Sequence, residues 1–219
     1  MPIIKACIFD LDGVIVDTAK YHYLAWKRLA NQLGFDLTKQ QNEKLKGISR
    51  KGSLEILLKL GGMTADEATQ QKLMDQKNKW YVEYISKMTP NEILPGSLNL
   101  LEALKKADIK TAIGSASKNT QMILKQIGLE NTFDAVIDGN KVTQAKPNPE
   151  VFLRGAQELN VPPENCIVFE DALAGIEAAK NGGMHAVGVG NADVLIGADR
   201  VIQSLTEIKI NHHNIEWGF

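Results

Sequence analysis

The sequence predicts an α/β protein: a doubly wound parallel sheet, interrupted after its first strand by an all-helical insert. Two observations carry this. Short apolar runs alternate with amphipathic helical patterns along most of the chain, which is the mark of right-handed βαβ units and a parallel sheet. The first two runs stand about 100 residues apart, whereas a simple crossover needs about a third of that length.

Taken in order, residues 3–9 (Ile-Ile-Lys-Ala-Cys-Ile-Phe) form a nearly all-apolar strand of the kind buried in parallel sheets. It ends in Asp10-Leu11-Asp12-Gly13. Further strands are expected at Thr111 to Gly114, Ala135 to Ile137, Cys166 to Phe169 and Ala186 to Val189. Leu94, Leu98 and Leu101 have the i, i+4, i+7 spacing of one helix. Ile176 and Ala179 mark another, which Gly182-Gly183 stops. The surplus between the first two strands is wholly helical in pattern. Leu54, Leu57 and Leu58 share one face ahead of Gly61-Gly62. Thr64-Ala65-Asp66-Glu67 has capping-box spacing, and the helix after it is expected to carry Leu73, Trp80 and Tyr84 on its inner face. The expected division is therefore residues 1–17 with 92–219 as the α/β domain, and residues 18–91 as a helical cap domain.

Composition narrows the function. A chain of 219 residues can hide roughly 70% of its unfolded surface, so its core needs no disulfide. With 44% hydrophobic and 23% charged residues it is a globular chain and not a disordered one. Lys plus Arg number 25 and Asp plus Glu 26, a net charge of −1, so no basic excess exists to hold nucleic acid or an anionic membrane. Cys7 and Cys166 both lie inside apolar runs, which suits small core hydrophobes in a reduced, cytoplasmic protein. No secretory pattern opens the sequence, and Ile3 to Phe9 is far too short to cross a bilayer.

The chemistry concentrates where two strands end in paired acids, Phe9-Asp10-Leu11-Asp12 and Phe169-Glu170-Asp171. Open α/β sheets bind ligands beyond the carboxyl ends of their strands, where strand order reverses. If the two strands are neighbours, several carboxylates share one small volume and need a compensating cation. Mg²⁺, with its preference for oxygen ligands and phosphate, suits them. Asp10 is then a candidate nucleophile and Asp12 a candidate general acid and base, with Gly13 permitting the tight turn. Taken singly, either pair equally suits a helix cap or a solvated surface. Gly114-Ser115-Ala116-Ser117-Lys118-Asn119 follows a strand and offers a hydroxyl and backbone N–H groups to a phosphate, although Ser and Asn there serve as often for capping. In Lys146-Pro147-Asn148-Pro149 two prolines stiffen the backbone around a lysine. Asp10, Glu170 and Asp171 bring three negative charges, and a phosphate monoester adds about two more. Mg²⁺ and Lys146 would offset three of them.

Asp10-Leu11-Asp12-Gly13-Val14, Ser115, Lys146-Pro147-Asn148-Pro149 and Glu170-Asp171 resemble the haloacid dehalogenase superfamily in order and spacing. The resemblance implies a Rossmann-like core with a cap inserted after the first strand. Phe9 to Thr18, His22, Trp26, Leu45 to Arg50 and Ser115 to Asn119 narrow it to the β-phosphoglucomutase branch. That branch implies conversion of β-D-glucose 1-phosphate to glucose 6-phosphate through β-glucose 1,6-bisphosphate. Asp10 would be the phosphorylated nucleophile, and Asp12 would exchange protons with the sugar hydroxyl. Asp10, Glu170, Asp171 and the backbone carbonyl of Asp12 would hold Mg²⁺. Ser115, Ala116 and Lys146 would clamp the transferring phosphoryl group, and Arg50 would take the other phosphate. Gly47 and Ile48 would line the sugar path, and Lys77 matches a substrate contact loosely. Ser117, Lys118 and Asn119 would meet the ligand's distal end. One departure is visible: Ala172 stands where the branch usually carries Ser.

A mutase must keep water from its phosphoaspartate, and closing a cap does so. His22, Trp26, Leu29 and Leu33 fall on one helical stripe, so His22 and Trp26 have a plain packing reading. His22 also lies one turn past the Asp17-Thr18 crossing, where it could help bring Asp12 into position on closure, with Lys46 and Gly47 from the cap loop. A phosphatase acting on small sugar phosphates shares every core residue and is the competing reading. A non-catalytic scaffold has little use for so many like charges at one point. A small sugar phosphate is the expected partner, and a monomer suffices.

Overall fold

The computed structural model describes residues 3–45, 48–211 and 214–216. Its contacts divide the chain into two units, Thr18–Met88 on one side and Met1–Asp17 with Thr89–Phe219 on the other. The second crossing falls just ahead of the expected one. Asp17 N–H reaches the Glu92 carbonyl at 3.4 Å and Val16 bridges to Ile93, which ties Pro90–Glu92 to the sheet-bearing unit.

The unit Thr18–Met88 is helical: α1 (Ala19–Gln32), α2 (Lys39–Asn42), α3 (Arg50–Leu60) and α4 (Glu67–Ile85). Along α1, Ala25, Trp26, Leu29 and Ala30 are buried, which is one face of a 3.6-residue period. On α3, Leu54, Leu57 and Leu58 face inward as their spacing predicts, and Ser49 caps the helix by accepting the Gly52 N–H at 3.2 Å. The start of α4 departs from expectation. Asp66, not Thr64, is the cap, its carboxylate accepting the Thr69 N–H at 2.8 Å. The buried face of α4 is Lys77, Trp80, Tyr81 and Ile85, with Leu73 and Tyr84 half-buried beside it. A lysine occupies the slot that an apolar pattern search skips, so the expected face was set slightly off axis.

In the other unit six parallel strands form one sheet: β1 (Ala6–Phe9), β2 (Lys110–Gly114), β3 (Ala135–Ile137), β4 (Cys166–Glu170), β5 (His185–Val189) and β6 (Arg200–Ile202). Their order is β3-β2-β1-β4-β5-β6. Successive strands step one way from β1 to β3, then restart at β4 and step the other way. The reversal lies between β1 and β4, so the crevice beyond their carboxyl ends is the natural ligand position. The register pairs Phe9 with Phe169, which brings Asp10 level with Glu170. The two phenylalanine rings stack with centroids 4.9 Å apart and lock that register.

Four helices accompany the sheet: α5 (Ser97–Lys106), α6 (Thr120–Gln126), α7 (Glu150–Leu159) and α8 (Leu173–Asn181). Ile8, Ala112 and Val168 of the sheet share a core with Val151, Phe152, Ala156 and Leu159 of α7 and Ile176 of α8. The leucine spacing around α5 needs correction. Gly96, at φ +88°, opens that helix, so Leu94 belongs to the preceding turn and gives its N–H to the Ile15 carbonyl at 2.9 Å. Leu98 is 51% exposed, and Leu100, Leu101 and Leu104 form the buried face. Strand β6 and the antiparallel hairpin of β7 (Lys209–Asn211) and β8 (Asn214–Glu216) lie outside the strands expected from the sequence; their short segments mix charged and polar residues with one or two apolar ones and form no apolar run. Among the described residues no helix is long and apolar enough to cross a membrane.

Both cysteines are free and fully buried. Burial, then the neighbouring Cys166, raises the Cys7 pKa well above the usual thiol value. Burial, then Glu164, pushes Cys166 up to about 12. Thiolate is the reactive form. A disulfide-exchange reagent at pH 8 is therefore expected to leave both thiols unmodified in the native protein and to titrate both in denaturant. Rapid native-state reaction at either would contradict the burial.

Candidate active site

The acids come first. One carboxylate oxygen from each of Asp10, Glu170 and Asp171 lies within 4.8 Å of the others. Asp10 is 7% exposed and Glu170 1%. Two like charges about 4 Å apart repel by about 4 kcal/mol at an effective dielectric of about 20, so the cluster is electrostatically expensive. Burial, partly offset by Lys146 and reinforced by Asp10, raises Glu170 to about 7. Burial, then Glu170, Asp10 and Asp12, raises Asp171 to about 8.

Lys146 answers that charge. Its ammonium lies 2.5 Å from Asp10 Oδ1 and 2.8 Å from Glu170 Oε2. Burial alone would favour the neutral amine, but the attraction of Asp10 and Glu170 outweighs it and holds the pKa above the usual lysine value. The Phe152 ring lies 4.6 Å beneath the ammonium, a cation–π floor supplied by α7. The Lys146-Pro147 peptide is cis.

Local turns aim the acids. The Asp12 N–H donates to Asp10 Oδ2 at 2.9 Å, so Asp10 is held by a backbone amide on one oxygen and by Lys146 on the other. Gly13 takes φ +85°, and a Cβ there would sit 2.1 Å from Asp171 Oδ2. The Glu170 Oε1 accepts the Ala172 N–H at 3.1 Å. Inside α8, a Cβ on Gly175 would sit 2.0 Å from the Glu170 carboxyl carbon. Sequence reasoning missed Gly175. Its signal was a glycine inside a helical pattern, which usually has a packing reason.

Ser115 follows β2 and is 1% exposed. Its Oγ accepts the Ser117 N–H at 3.1 Å, which leaves the hydroxyl hydrogen for donation. Ser117 Oγ accepts the Asn119 N–H at 3.2 Å, and the Ser117 carbonyl takes bonds from Thr120 Oγ1 and Gly139 N. Ser117 and Asn119 thus shape the loop, while Ala116 and Lys118 are exposed. Gly139 is a tight fit: a Cβ there would meet the Ala116 carbonyl oxygen at 2.3 Å.

The helical unit assembles a separate group. Lys77, 2% exposed, sets its ammonium 2.9 Å from His22 Nδ1 and over the rings of Trp26 and Tyr81 at 4.6 and 4.7 Å. A lysine ammonium has no lone pair, so His22 Nδ1 is the acceptor. Burial, then Lys77 and Arg50, lowers the His22 pKa well below its ordinary value, which keeps the ring neutral. Arg50 opens α3 and is half-buried, while Ile48 is 44% exposed. Trp26 is buried at 3% in the unit's core. Lys46 and Gly47 lie outside the described residues.

The donor set fits a hard divalent cation. It is all oxygen and mostly buried, and burial together with the neighbouring carboxylates raises the Glu170 and Asp171 pKa values. Residues 4–183 match the pattern of the haloacid dehalogenase-like hydrolases. The chain belongs to that family. It is 44% identical to a β-phosphoglucomutase of Bacillus subtilis (strain 168) over 97% of this chain and 95% of that one. A crystal structure of β-phosphoglucomutase from Clostridium difficile superposes with a TM-score of 0.89 at 45% identity, covering 94% of this chain and 93% of the other. A phosphorylated carbohydrates phosphatase of Thermotoga maritima is 31% identical over 84% of this chain and 83% of its own. The chain is thus a member of an enzyme family, with relatives named for sugar phosphates.

Gly175→Ala separates helix preference from site geometry. Alanine in a helix interior is favoured over glycine by about 1 kcal/mol, so α8 alone should gain. The new methyl would instead displace Glu170, and Mg²⁺ affinity in a calorimetric titration is expected to fall by about tenfold or more. Unchanged affinity would show that Gly175 does not shape the acid cluster.

Proposed function

We propose that the protein is a β-phosphoglucomutase that interconverts β-D-glucose 1-phosphate and glucose 6-phosphate, with Asp10 as the phosphorylated nucleophile. The observation that carries the reading is the convergence of Asp10, Glu170, Asp171 and Lys146 at the ends of adjacent strands. The 44% identity to a β-phosphoglucomutase supplies the sugar.

The residues divide the work. Asp10 carries the phosphoryl group as a mixed anhydride. As Asp10 passes it to the sugar's 6-hydroxyl, Asp12 takes the hydroxyl proton, and β-glucose 1,6-bisphosphate results. When the bisphosphate presents its 1-phosphate, Asp10 attacks phosphorus, the bond to the C1 oxygen breaks, and Asp12 returns the proton to that oxygen. Ser115, the Ala116 N–H and Lys146 donate to the oxygens of the transferring group. Asp10, Glu170, Asp171 and the Asp12 carbonyl would hold Mg²⁺, whose charge offsets the anion that builds at the transition state. Arg50 and Lys77 take the other phosphate, Gly47 and Ile48 line the sugar path, and Lys46 assists His22 in bringing Asp12 into position. Ser117, Lys118 and Asn119 meet the distal end. We place the protein in the cytoplasm as a monomer.

A second reading, a sugar-phosphate phosphatase, draws on the Thermotoga maritima relative. Phosphorus-31 NMR distinguishes them, using purified protein with Mg²⁺, β-glucose 1-phosphate and a trace of the bisphosphate. The expected result is conversion to glucose 6-phosphate with little inorganic phosphate. Accumulating inorganic phosphate would favour the phosphatase. Asp10→Asn is expected to abolish phosphoenzyme formation, and a normal phosphoaspartate in that variant would remove Asp10 from the role.

His22→Ala tests the helical unit. Turnover of the mutase reaction is expected to fall about tenfold or more, with a smaller change in hydrolysis of the phosphoenzyme. Equal losses in both would assign His22 to packing alone.

A further inference from the structure

Lys146 poses a mechanical problem. Its ammonium is buried among carboxylates, yet its loop is a surface segment: Thr143, Gln144, Ala145, Pro147 and Asn148 are all exposed. A surface loop gains little from packing, and its conformation must be held by specific polar bonds. Beside the Asn148 N–H to Ala145 carbonyl turn at 3.0 Å, three of those bonds run to one side chain. Glu150 Oε2 accepts the Thr143 N–H at 2.9 Å, the Gln144 N–H at 2.8 Å and the Thr143 hydroxyl at 3.0 Å. Glu150 Oε1 accepts from Arg154 Nε at 2.9 Å and pairs with Nη2 at 2.8 Å. The Glu150 N–H in turn donates to Asn148 Oδ1 at 3.0 Å. Residues 143–150 are thereby closed into a ring with Lys146 inside it. The Asn181 amide adds one bond to the Pro147 carbonyl at 3.2 Å.

We propose that Glu150 is a positioning residue, which braces the Thr143–Pro149 loop so that the Lys146 ammonium stays between Asp10 and Glu170. The proposal deepens the phosphoryl-transfer reading of the same site and rests on it. Glu150 and Phe152 lie on the first turn of α7. That rigid helix therefore supports Lys146 twice, with a carboxylate holding the loop and a ring beneath the ammonium. Arg154, one turn later, fixes the carboxylate's orientation with a two-pronged contact. The carboxylate stays ionised throughout the useful pH range, since the Gln144 and Thr143 N–H bonds hold its pKa at about 2. The brace therefore does not titrate away under assay conditions.

The test has two arms. The first is a double-mutant cycle on the rate of phosphoenzyme formation from acetyl phosphate, using Glu150→Ala and Lys146→Ala. Glu150→Ala is expected to slow formation by about tenfold or more while moving the half-saturating acetyl phosphate concentration less than about threefold. In the Lys146→Ala background the same change is expected to cost less than about twofold, because the residue it serves is gone. Equal losses in both backgrounds would overturn the proposal. The second arm needs no activity. Reductive methylation with mass-spectrometric readout is expected to find Lys146 protected in the wild type and labelled about tenfold faster in Glu150→Ala, with the surface lysines unchanged. Unchanged protection of Lys146 would overturn the proposal as well. Wild-type protein that forms no phosphoenzyme would count against the phosphoryl-transfer reading, and the labelling arm would then decide on Glu150 by itself. Glu150→Gln repeats both arms with shape retained, should the alanine variant fold poorly. It is expected to lie between wild type and alanine.

Discussion

Carboxylates crowded at the ends of two paired strands, with one lysine ammonium between them, set the terms for the sheet-bearing unit. The crowding follows from register. Once Phe9 pairs with Phe169, the next residue on each strand is an acid, and no side-chain rotation can move both far apart. Strands in the middle of a six-stranded sheet cannot shift to relieve the repulsion without breaking ladders on both sides. Part of the relief comes from outside the strands, as the Lys146 ammonium. The surroundings are shaped to let that happen. Gly13 and Gly175 carry no side chain, which leaves room for the Asp171 and Glu170 carboxylates, and the Asp12 and Ala172 amides each satisfy one oxygen.

A division of labour follows. Negative groups are carried by the rigid sheet, and the positive group by a loop. Electrostatic stabilisation of a reacting phosphoryl group depends on donors that are already in place, so a loop-borne lysine is useful only if the loop behaves like part of the scaffold. The loop's exposed residues cannot supply that through packing. Hydrogen bonds to the start of α7 can, since α7 is anchored by Phe152, Val151, Ala156 and Leu159 in the core beneath the sheet. A large buried ring thus contributes to stability and to the ammonium's position at once.

What could be read in the sequence, and what could not, divides along the same physical line. The strands carrying the acids were legible because a buried parallel strand is a short apolar run, and acids at its end are conspicuous. Lys146 was legible because two prolines flag a shaped loop. The helical character expected for residues 18–91 was legible from leucine spacing, as on α3. Gly175, Glu150 and Phe152 were not, because each takes its meaning from an atom distant in sequence: a glycine from the carboxylate it makes room for, a glutamate from the loop it closes. Lys77 was half legible. Nothing in a pattern search puts lysine on a buried face, and contacts with Trp26, Tyr81 and His22 help make that burial tolerable. The Thr64 cap and the Leu94–Leu98 face failed for a simpler reason. Spacing leaves the phase of a helix free by a residue or two, and Asp66 and Gly96 each fix it locally.

The helical unit has its own charge problem, and its solution bears on selectivity for sugar over water. His22, Lys77 and Arg50 influence one another electrostatically in partly dry surroundings. Three cations there would repel as the three carboxylates do in the other unit. The lowered pKa of His22 removes one, turning it into an acceptor that orients the Lys77 ammonium instead of opposing it. What remains is a lysine and an arginine, with Asp75 acting electrostatically on the arginine. A phosphatase needs no such group, since water has no second phosphate to grip. A mutase does, because its acceptor is itself a sugar phosphate, and binding energy from the non-reacting phosphate can be used to position the hydroxyl. The neutral histidine therefore suits the role proposed for the helical unit, holding an anionic substrate, on grounds separate from the acids of the sheet.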